Sequence, residues 1–324
     1  MDRDPTERPA PPARVLPAPS PAPPVTAGDV LTLDELRDLQ RTSSWRGAGL
    51  VLHAWLTIAA AGAACILWPT ALTFLVAVVV IGSRQLGLMM LAHEAAHWRL
   101  FPNARANDRV GRWLCAGPVG VDLKTYRREH HLHHRHTLRA DDPELGLAAP
   151  FPVSQGQLWR AALADLGGWT AARLAVAALS RRGPASAAWR RLRAPLVGQA
   201  VLLAALAAAG HWACYPLLWL LPLVTWYRLL ARLRTLAEHA MVPDDGDPLR
   251  NSRTTGAGPL ARAFLAPYWM NHHLEHHLLV FVPCWKLGRA HALLLAKGYG
   301  ARMEIAPGYV DVIRRAAGAR AGTA

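Results

Sequence analysis

Two long stretches of the chain carry no charged side chain. No Asp, Glu, Lys or Arg occurs between Arg46 and Arg84 or between Arg193 and Arg228, gaps of 37 and 34 residues. A helix needs about 20 apolar residues to cross a bilayer, so each gap holds two spans. Each also has a break near its middle, "WPT" at Trp68–Thr70 and "HWACYP" at His211–Pro216. Proline and aromatic residues are what a tight interfacial turn contains. The pattern predicts spans near 49–68, 70–90, 195–211 and 214–231, in two hairpins, with Arg84 close enough to the end of the second span to snorkel. Core helices of soluble proteins rarely stay free of charge for so long.

The remaining patterns are weaker. Thr32–Glu35, "TLDE", reads as a capping box, and Leu33, Leu36 and Leu39 follow at helical spacing, predicting a short amphipathic helix on the membrane. The run 161–179 is apolar but contains Asp165 and Arg173, which predicts an interfacial segment rather than a span. A later helix, "LGRAHALLLAKG", ends at a glycine cap. Residues 1–27 are rich in Pro and Ala, with few large apolar residues and no early apolar run. They are expected to be disordered rather than a signal peptide. Residues 28–300 then form the membrane domain and 301–324 a C-terminal tail.

Composition agrees with the spans. The 324 residues are 52% hydrophobic and only 18% charged, and mean hydropathy is +0.12. The net charge of +14 is spread through every polar segment without a DNA- or RNA-binding motif. A membrane surface or an acidic protein is therefore the expected partner, not nucleic acid. Both short turns lack basic residues, so the positive-inside rule puts both termini and the central 90s-to-190s segment in the cytosol. Cys65, Cys115, Cys214 and Cys284 lie far apart and form no CxxC pair, so neither a disulfide framework nor a thiolate zinc site is indicated.

Candidate chemistry lies in histidine. Eleven of the fifteen histidines fall in three clusters: "HEAAH" at His93–His97, "EHHLHHRHT" at Glu129–Thr137 and "NHHLEHH" at Asn271–His277. By the topology above all three face the cytosol. Residues at i, i+3 and i+4 of a helix are neighbours. His93 and His97 make an i,i+4 pair, and the pattern HxxHH fits the other clusters in one register each: His130, His133, His134 and His273, His276, His277. Eight imidazoles exceed the four ligands of a tetrahedral zinc and suit two metal ions. On donor type alone iron, copper, nickel and zinc remain open. Four of the eight glutamates (Glu94, Glu129, Glu238, Glu275) adjoin a histidine, as carboxylates that orient metal-bound imidazoles do. His131, His136 and His272 adjoin the ligand patterns as supporting groups. His53 and His211 read as structural or interfacial, and His291 as packed or solvated.

HxxxH, HxxHH and HxxHH around four spans resemble the membrane-bound fatty acid desaturase family, from about residue 45 to 300. The likeness extends to "AHEAAHWRLF", "YRREHHLHHRHT" followed by "DDPEL", "RLRTLAEH" and "NHHLEHHLLVFVP". The resemblance implies an all-α integral membrane protein with a cytosolic helical cap. It implies a non-haem centre of two iron ions held by the eight histidines, with His239 of "AEH" as a further ligand. It implies O2 as co-substrate, a lipid or acyl thioester whose unactivated C–H pair is oxidised to a double bond, and electrons from a small redox protein of the ferredoxin or cytochrome b5 type. No fused redox domain is expected, since the cysteines exclude a cluster domain and the stretch after residue 300 is short. Imidazole suits such an oxidising site better than thiolate, which itself oxidises.

Two departures stand out. Thr235 occupies the place of an asparagine that in some family members holds a water on iron. Glu94 and Ala96 differ from the "HDxMH" of carotenoid ketolases, which argues against ketolation. Hydroxylation or ketolation of another lipid, including a carotenoid, is the main alternative. HExxH of a membrane zinc protease is a remote one, since it leaves two histidine clusters without a role.

Overall fold

The computed structural model describes residues 25–148, 151–180, 185–243 and 246–318. Most of the segment expected to be disordered therefore lies outside the described residues; a capped turn at Ala27–Val30 follows it. The described chain is mostly helical. Its only strands are β1 (Thr254–Thr255) and β2 (Ile305–Ala306), a parallel pair.

Helix α1 (Leu33–Leu39) starts at the expected box: Thr32 Oγ1 accepts from the Glu35 N–H, and the Glu35 carboxylate accepts from the Thr32 N–H at 2.7 Å. Helices α2 (Ser44–Leu67) and α3 (Ala71–Ala96) follow as an antiparallel hairpin. Ser43 and Thr70 cap their N-termini. The outer half of the hairpin exposes Leu56, Leu67, Leu72 and Leu75, a surface suited only to lipid.

The other half of α3 is buried on every side, from Ile81 to Ala96. A helix buried all round is the centre of its fold, and here it continues past the apolar run into the first histidine cluster. The sequence reading ended this span near residue 90, with "HEAAH" after it. In the structure His93 lies in the last turn of the span helix itself and His97 is its C-cap. Arg84 is 6% exposed and does not snorkel; its guanidinium donates to the Ala263 carbonyl inside the protein.

Among the described residues, three helices are long and apolar enough to cross a membrane: α2, α3 and the Arg191–Ala208 part of α7 (Ala185–Ala208). The expected fourth span, 214–231, is not one helix. It runs as a wide π-type turn over Tyr215–Leu220, a short helix at Leu221–Val224 and a break at Thr225 (φ −120°, ψ −88°). Pro216 and Pro222 lack the N–H that a continuous ladder needs. The helix that follows, α8 (Trp226–His239), carries the chain to the histidines.

The polar segments lie between these helices. Helix α4 (Leu123–His136) is capped by Asp122, which accepts from the Thr125 N–H at 3.0 Å. Its Arg127 donates to the Ala95 and Ala96 carbonyls at 2.8 and 3.0 Å, satisfying the open end of α3. The 161–179 run is two helices, α5 (Gln155–Leu166) and α6 (Trp169–Ser180), turning at Gly168 with φ +77°. Asp165, one of the two charges that mark this run as interfacial, is fully buried and pairs with Arg232 of α8. Helix α9 (His273–Leu278) brings His276 beside His93 of α3, α10 (Leu287–Ala296) packs on α9, and Gly298 (φ +84°) ends α10 as expected. Beyond residue 300, read as a tail, β2 pairs with β1 and α11 (Tyr309–Ala316) packs Tyr309 and Val312 with Leu236 and Ala237 of α8.

Candidate metal centre

Four elements deliver nine imidazoles to one place. The end of α3 brings His93 and His97, α4 brings His130, His133 and His134, the end of α8 brings His239, and α9 brings His273, His276 and His277. Seven of the nine are buried; His134 and His277 are half-buried.

The nine form two groups. His93, His97, His130, His134 and His276 make one, and His133, His239, His273 and His277 the other; within each, the ligand atoms lie within 4.8 Å of one another. The sequence reading treated each HxxHH as one ligand face. The fold instead divides each motif. In both α4 and α9 the i,i+4 pair serves one group and the i+3 histidine crosses to the other. Successive residues diverge by about 100° around a helix, so adjacent histidines such as His133 and His134 straddle two positions. Pairs four apart diverge by only about 40° and converge on one.

Hydrogen bonds set the ring nitrogens. The His133 Nδ1–H donates to both oxygens of Asp142, at 2.9 and 3.0 Å, and the His239 Nδ1–H donates to the Asn251 carbonyl at 3.4 Å. In the neutral rings that a metal would require, each Nε2 then carries a lone pair, and these two nitrogens face each other 3.1 Å apart. Neutral lone pairs repel at that distance unless a cation lies between them. The same spacing, 3.0 to 3.1 Å, recurs in the pairs His130–His134, His134–His276, His239–His273 and His273–His277, each through Nε2. Nitrogens bound about 2.1 Å from one metal ion lie about 3.0 Å apart at a right angle and about 3.4 Å apart in a tetrahedron. The separations match the right-angled arrangement. The residues present thus fit metal ions that hold their ligands at right angles, octahedral or square-planar, better than tetrahedral zinc.

Burial disfavours the charged form of most of these imidazoles. It pushes His97 down to about 3, and holds His130, His134, His239, His273, His276 and His277 well below the usual histidine range. Neighbouring histidines add to the effect, because a second positive charge among them is disfavoured. Neutral imidazole is the metal-binding form.

Carboxylates surround the rings, and only some of them are among the four that sequence adjacency picked out. Glu144 accepts from the His130 Nδ1–H at 3.2 Å, and Asp142 holds His133 as above. Both come from "DDPEL", whose carboxylates the sequence reading left without a role. Burial would raise the Asp142 carboxyl, but His133 and the Glu144 and Leu138 N–H groups outweigh it and hold the carboxyl low. Of the four glutamates chosen by adjacency, Glu238 lies 3.4 Å from His273 Nδ1 and pairs with Arg234. Burial pushes its carboxyl up to about 7 against that guanidinium. Glu94 accepts from the Cys284 N–H at 2.8 Å and lies 3.8 Å from His93 Nδ1. That backbone bond leaves it poorly placed as the base of an HExxH protease. Glu129 lies 3.7 Å from Arg128 at the surface.

Glu275 is different. It accepts from His291 Nδ1–H at 2.6 Å and from the Thr254 hydroxyl. His291 is therefore not a solvated bystander, as its sequence position suggested; with His272 and Glu275 it makes a third cluster beside the two groups. The Thr235 hydroxyl donates to the Ala231 carbonyl one turn back. His136 pairs with Asp141 at 2.7 Å, and His131 packs between His97 and Trp98.

Backbone strain marks the same segments. Among the described residues only Trp98, Leu138, Met241, Tyr268 and Trp269 are non-glycine residues with positive φ, between 56° and 62°. Each borders a histidine segment. Such conformations cost on the order of 1–3 kcal/mol each and persist where surrounding packing enforces them, commonly at functional sites.

Comparison with known proteins agrees with this geometry. The profile described as "Fatty acid desaturase" matches residues 66–307, more than half of the chain. A beta-carotene ketolase of Paracoccus sp. (strain PC1) is 28% identical over 274 residues, covering 82% of this chain and 95% of the ketolase. Dihydrorhizobitoxine desaturase of Bradyrhizobium elkanii is 28% identical over 84% of this chain and 79% of its own length. A second Paracoccus beta-carotene ketolase (strain N81106 / MBIC 01143) is 27% identical over 63% of this chain and 73% of its own. Helices fit to cross a membrane, clustered histidines and this match converge: the chain is a membrane oxidoreductase and belongs to the fatty acid desaturase family.

Proposed function

We propose that the protein is an O2-dependent membrane desaturase that introduces a double bond into a fatty acyl chain of a lipid or acyl thioester. Two iron ions would be held by His93, His97, His130, His134 and His276 on one side and by His133, His239, His273 and His277 on the other. The observation that carries this reading is the facing pair of His133 and His239 lone pairs, 3.1 Å apart, within a buried set of nine imidazoles. Bound iron would supply, with O2, the oxidising power that an unactivated C–H bond requires.

The chain's own residues would do the rest. Burial disfavours the charged form of most of the imidazoles, Asp142, Glu144 and Glu238 orient His133, His130 and His273, and the packed cap excludes water. The reading includes residues 28–300 as one membrane domain crossing four times, the last crossing being the broken 214–231 segment. Both termini and the histidines would face the cytosol. A small acidic electron-transfer protein would dock on the basic surface there by electrostatic steering.

A second reading, ketolation or hydroxylation of a carotenoid, is favoured by the two beta-carotene ketolases among the relatives. Glu94 and Ala96 in the first motif speak against it. The discriminating experiment supplies isotope-labelled fatty acids and beta-carotene to cells producing the protein, with products read by mass spectrometry. A labelled acyl chain lacking two hydrogens supports desaturation, and an oxygenated carotenoid establishes the second reading instead. Iron analysis of the purified protein should find two ions per chain, and one zinc with no iron would overturn both.

A further inference from the structure

Arg84 is a charged residue in the apolar part of α3, and its location has no bearing on the histidines. It lies nine residues before His93, or two and a half turns, so the two side chains leave α3 on opposite sides. The histidines face the cap interior. Arg84 lines a groove of about 550 Å³ between α2, α3 and the segment 262–269.

The walls of the groove are largely apolar, from Leu50 of α2, Val80 of α3 and Phe264. Its cationic residues are Arg84 and Arg262, the latter exposed at the groove's edge, and no Asp or Glu lines it. Arg84 donates to the Ala263 carbonyl and lies 5.8 Å from the centre of the Tyr268 ring. No carboxylate comes within 4.0 Å of it among the described residues. A guanidinium in a span is costly and is found paired or lining a path or cavity. Here the protein supplies a carbonyl and a ring but no counter-charge.

We propose that this groove binds an anionic phospholipid of the surrounding membrane, with the phosphate between Arg84 and Arg262 and an acyl chain along the apolar wall. Guanidinium matches phosphate in shape and charge, and basic pockets between membrane helices take acidic headgroups. The groove volume lies within the range of small-molecule sites. Its far wall, Pro267–Trp269, leads directly into the third histidine motif, and Tyr268 packs against Gly87, where any Cβ would come within 2.9 Å of the ring. A lipid held there would fasten α2 and α3 to the segment that positions α9. The proposal depends on neither the metal nor the reaction.

The test uses the full-length protein in detergent with three probes: phosphatidylglycerol, phosphatidylcholine of the same chains, and oleate. Retention is read by native mass spectrometry and stabilisation by thermal unfolding. Phosphatidylglycerol should be retained preferentially and should raise the unfolding temperature. Arg84→Gln with Arg262→Gln should weaken its retention about tenfold or more, the value of losing charged hydrogen bonds. Because Arg84→Gln can disturb the packing of α3, two further variants are decisive. Arg262→Gln removes only the exposed guanidinium, and Thr57→Trp fills the groove without altering its charge. Equal retention of phosphatidylcholine, preference for oleate, or unchanged phosphatidylglycerol retention in both of these variants would overturn the proposal.

Discussion

Asp142 holds His133 through both of its carboxylate oxygens, nine residues further along the chain. It also accepts the N–H of Leu138 and of Glu144, each at 2.8 Å. One buried side chain thus shapes the turn after α4 and chooses which nitrogen His133 turns toward His239. Asp142→Asn keeps one acceptor but weakens the charge that draws the Nδ1 proton. It should lower metal affinity about 10- to 100-fold with little loss of helix content. Asp142→Ala should also loosen the turn. Metal titration followed by circular dichroism separates the two; an Asp142→Asn protein with unchanged affinity would contradict the assignment.

His291→Ala should be destabilising, contrary to the expectation from its sequence position. The Glu275 side chain is fully buried, and with His291 gone it keeps the Thr254 hydroxyl as hydrogen-bond donor, with His272 Nδ1 3.8 Å away. Leaving a buried charged group short of a partner costs about 1–3 kcal/mol. Thermal unfolding measures this directly. An unfolding temperature equal to wild type would show that Glu275 finds another donor.

His276→Ala removes one of the five imidazoles of the His93 group, while leaving the His133 group complete. The bound metal should drop toward one ion per chain, with oxidation abolished. His239→Ala should do the reverse, emptying the other position. Metal counting on the purified variants checks both, and two ions retained in either variant would count against the grouping.

Removing the metal should make stability depend steeply on acid. The buried imidazoles have folded-state values well below the ordinary value of about 6.5, with His97 near 3. Above about 6.5 neither folded nor unfolded chain protonates them, and pH has no effect through these groups. Below it the unfolded chain takes up protons that the folded chain refuses, so stability is lost as pH falls. The slope is at most about 1.4 kcal/mol per pH unit for each histidine fully affected. Denaturant unfolding of the metal-free protein between about pH 7.5 and 5.5 measures it. Reloading with metal should restore stability through binding to the folded state alone.

Gly111 lies directly against Ala95, between the two histidines of the first motif. An added Cβ would stand 2.3 Å from the Ala95 Cβ, so Gly111→Val must displace the end of α3. Metal occupancy of the His93 group should fall more than that of the His133 group. Overpacking of this kind costs about 1–3 kcal/mol. Equal loss from both groups would point to general unfolding instead.

Histidine spacing alone was enough to single out eight of the nine residues that the fold gathers, the family resemblance supplied His239, and charge-free runs were enough to find three long apolar helices. What spacing could not show was the division of each HxxHH between two groups, because that depends on where the other helices stand around α4 and α9. Nor could adjacency find Asp142 and Glu144. Their carboxylates return to α4 only because Leu138 turns the chain through a left-handed conformation. The broken run 215–225 looked like a span since its composition is apolar, but Pro216, Pro222 and the Thr225 backbone interrupt it. Arg84 looked like a snorkelling residue because sequence distance to the end of the apolar run says nothing of which side of the helix faces protein.

Helix α3 is unbroken from the apolar hairpin turn to the last turn that carries His93. At about 1.5 Å per residue, it is a single rod anchored in lipid at one end and gripping a ligand set at the other. Membrane helices adjust to bilayer thickness chiefly by tilting. Any such tilt swings the His93 end against α4 and α9, which the cap holds in place. The spacing of the first histidine group is consequently tied to the thickness of the membrane around the hairpin, and the same polypeptide purified in thin and thick bilayers should differ in how tightly it keeps its metal.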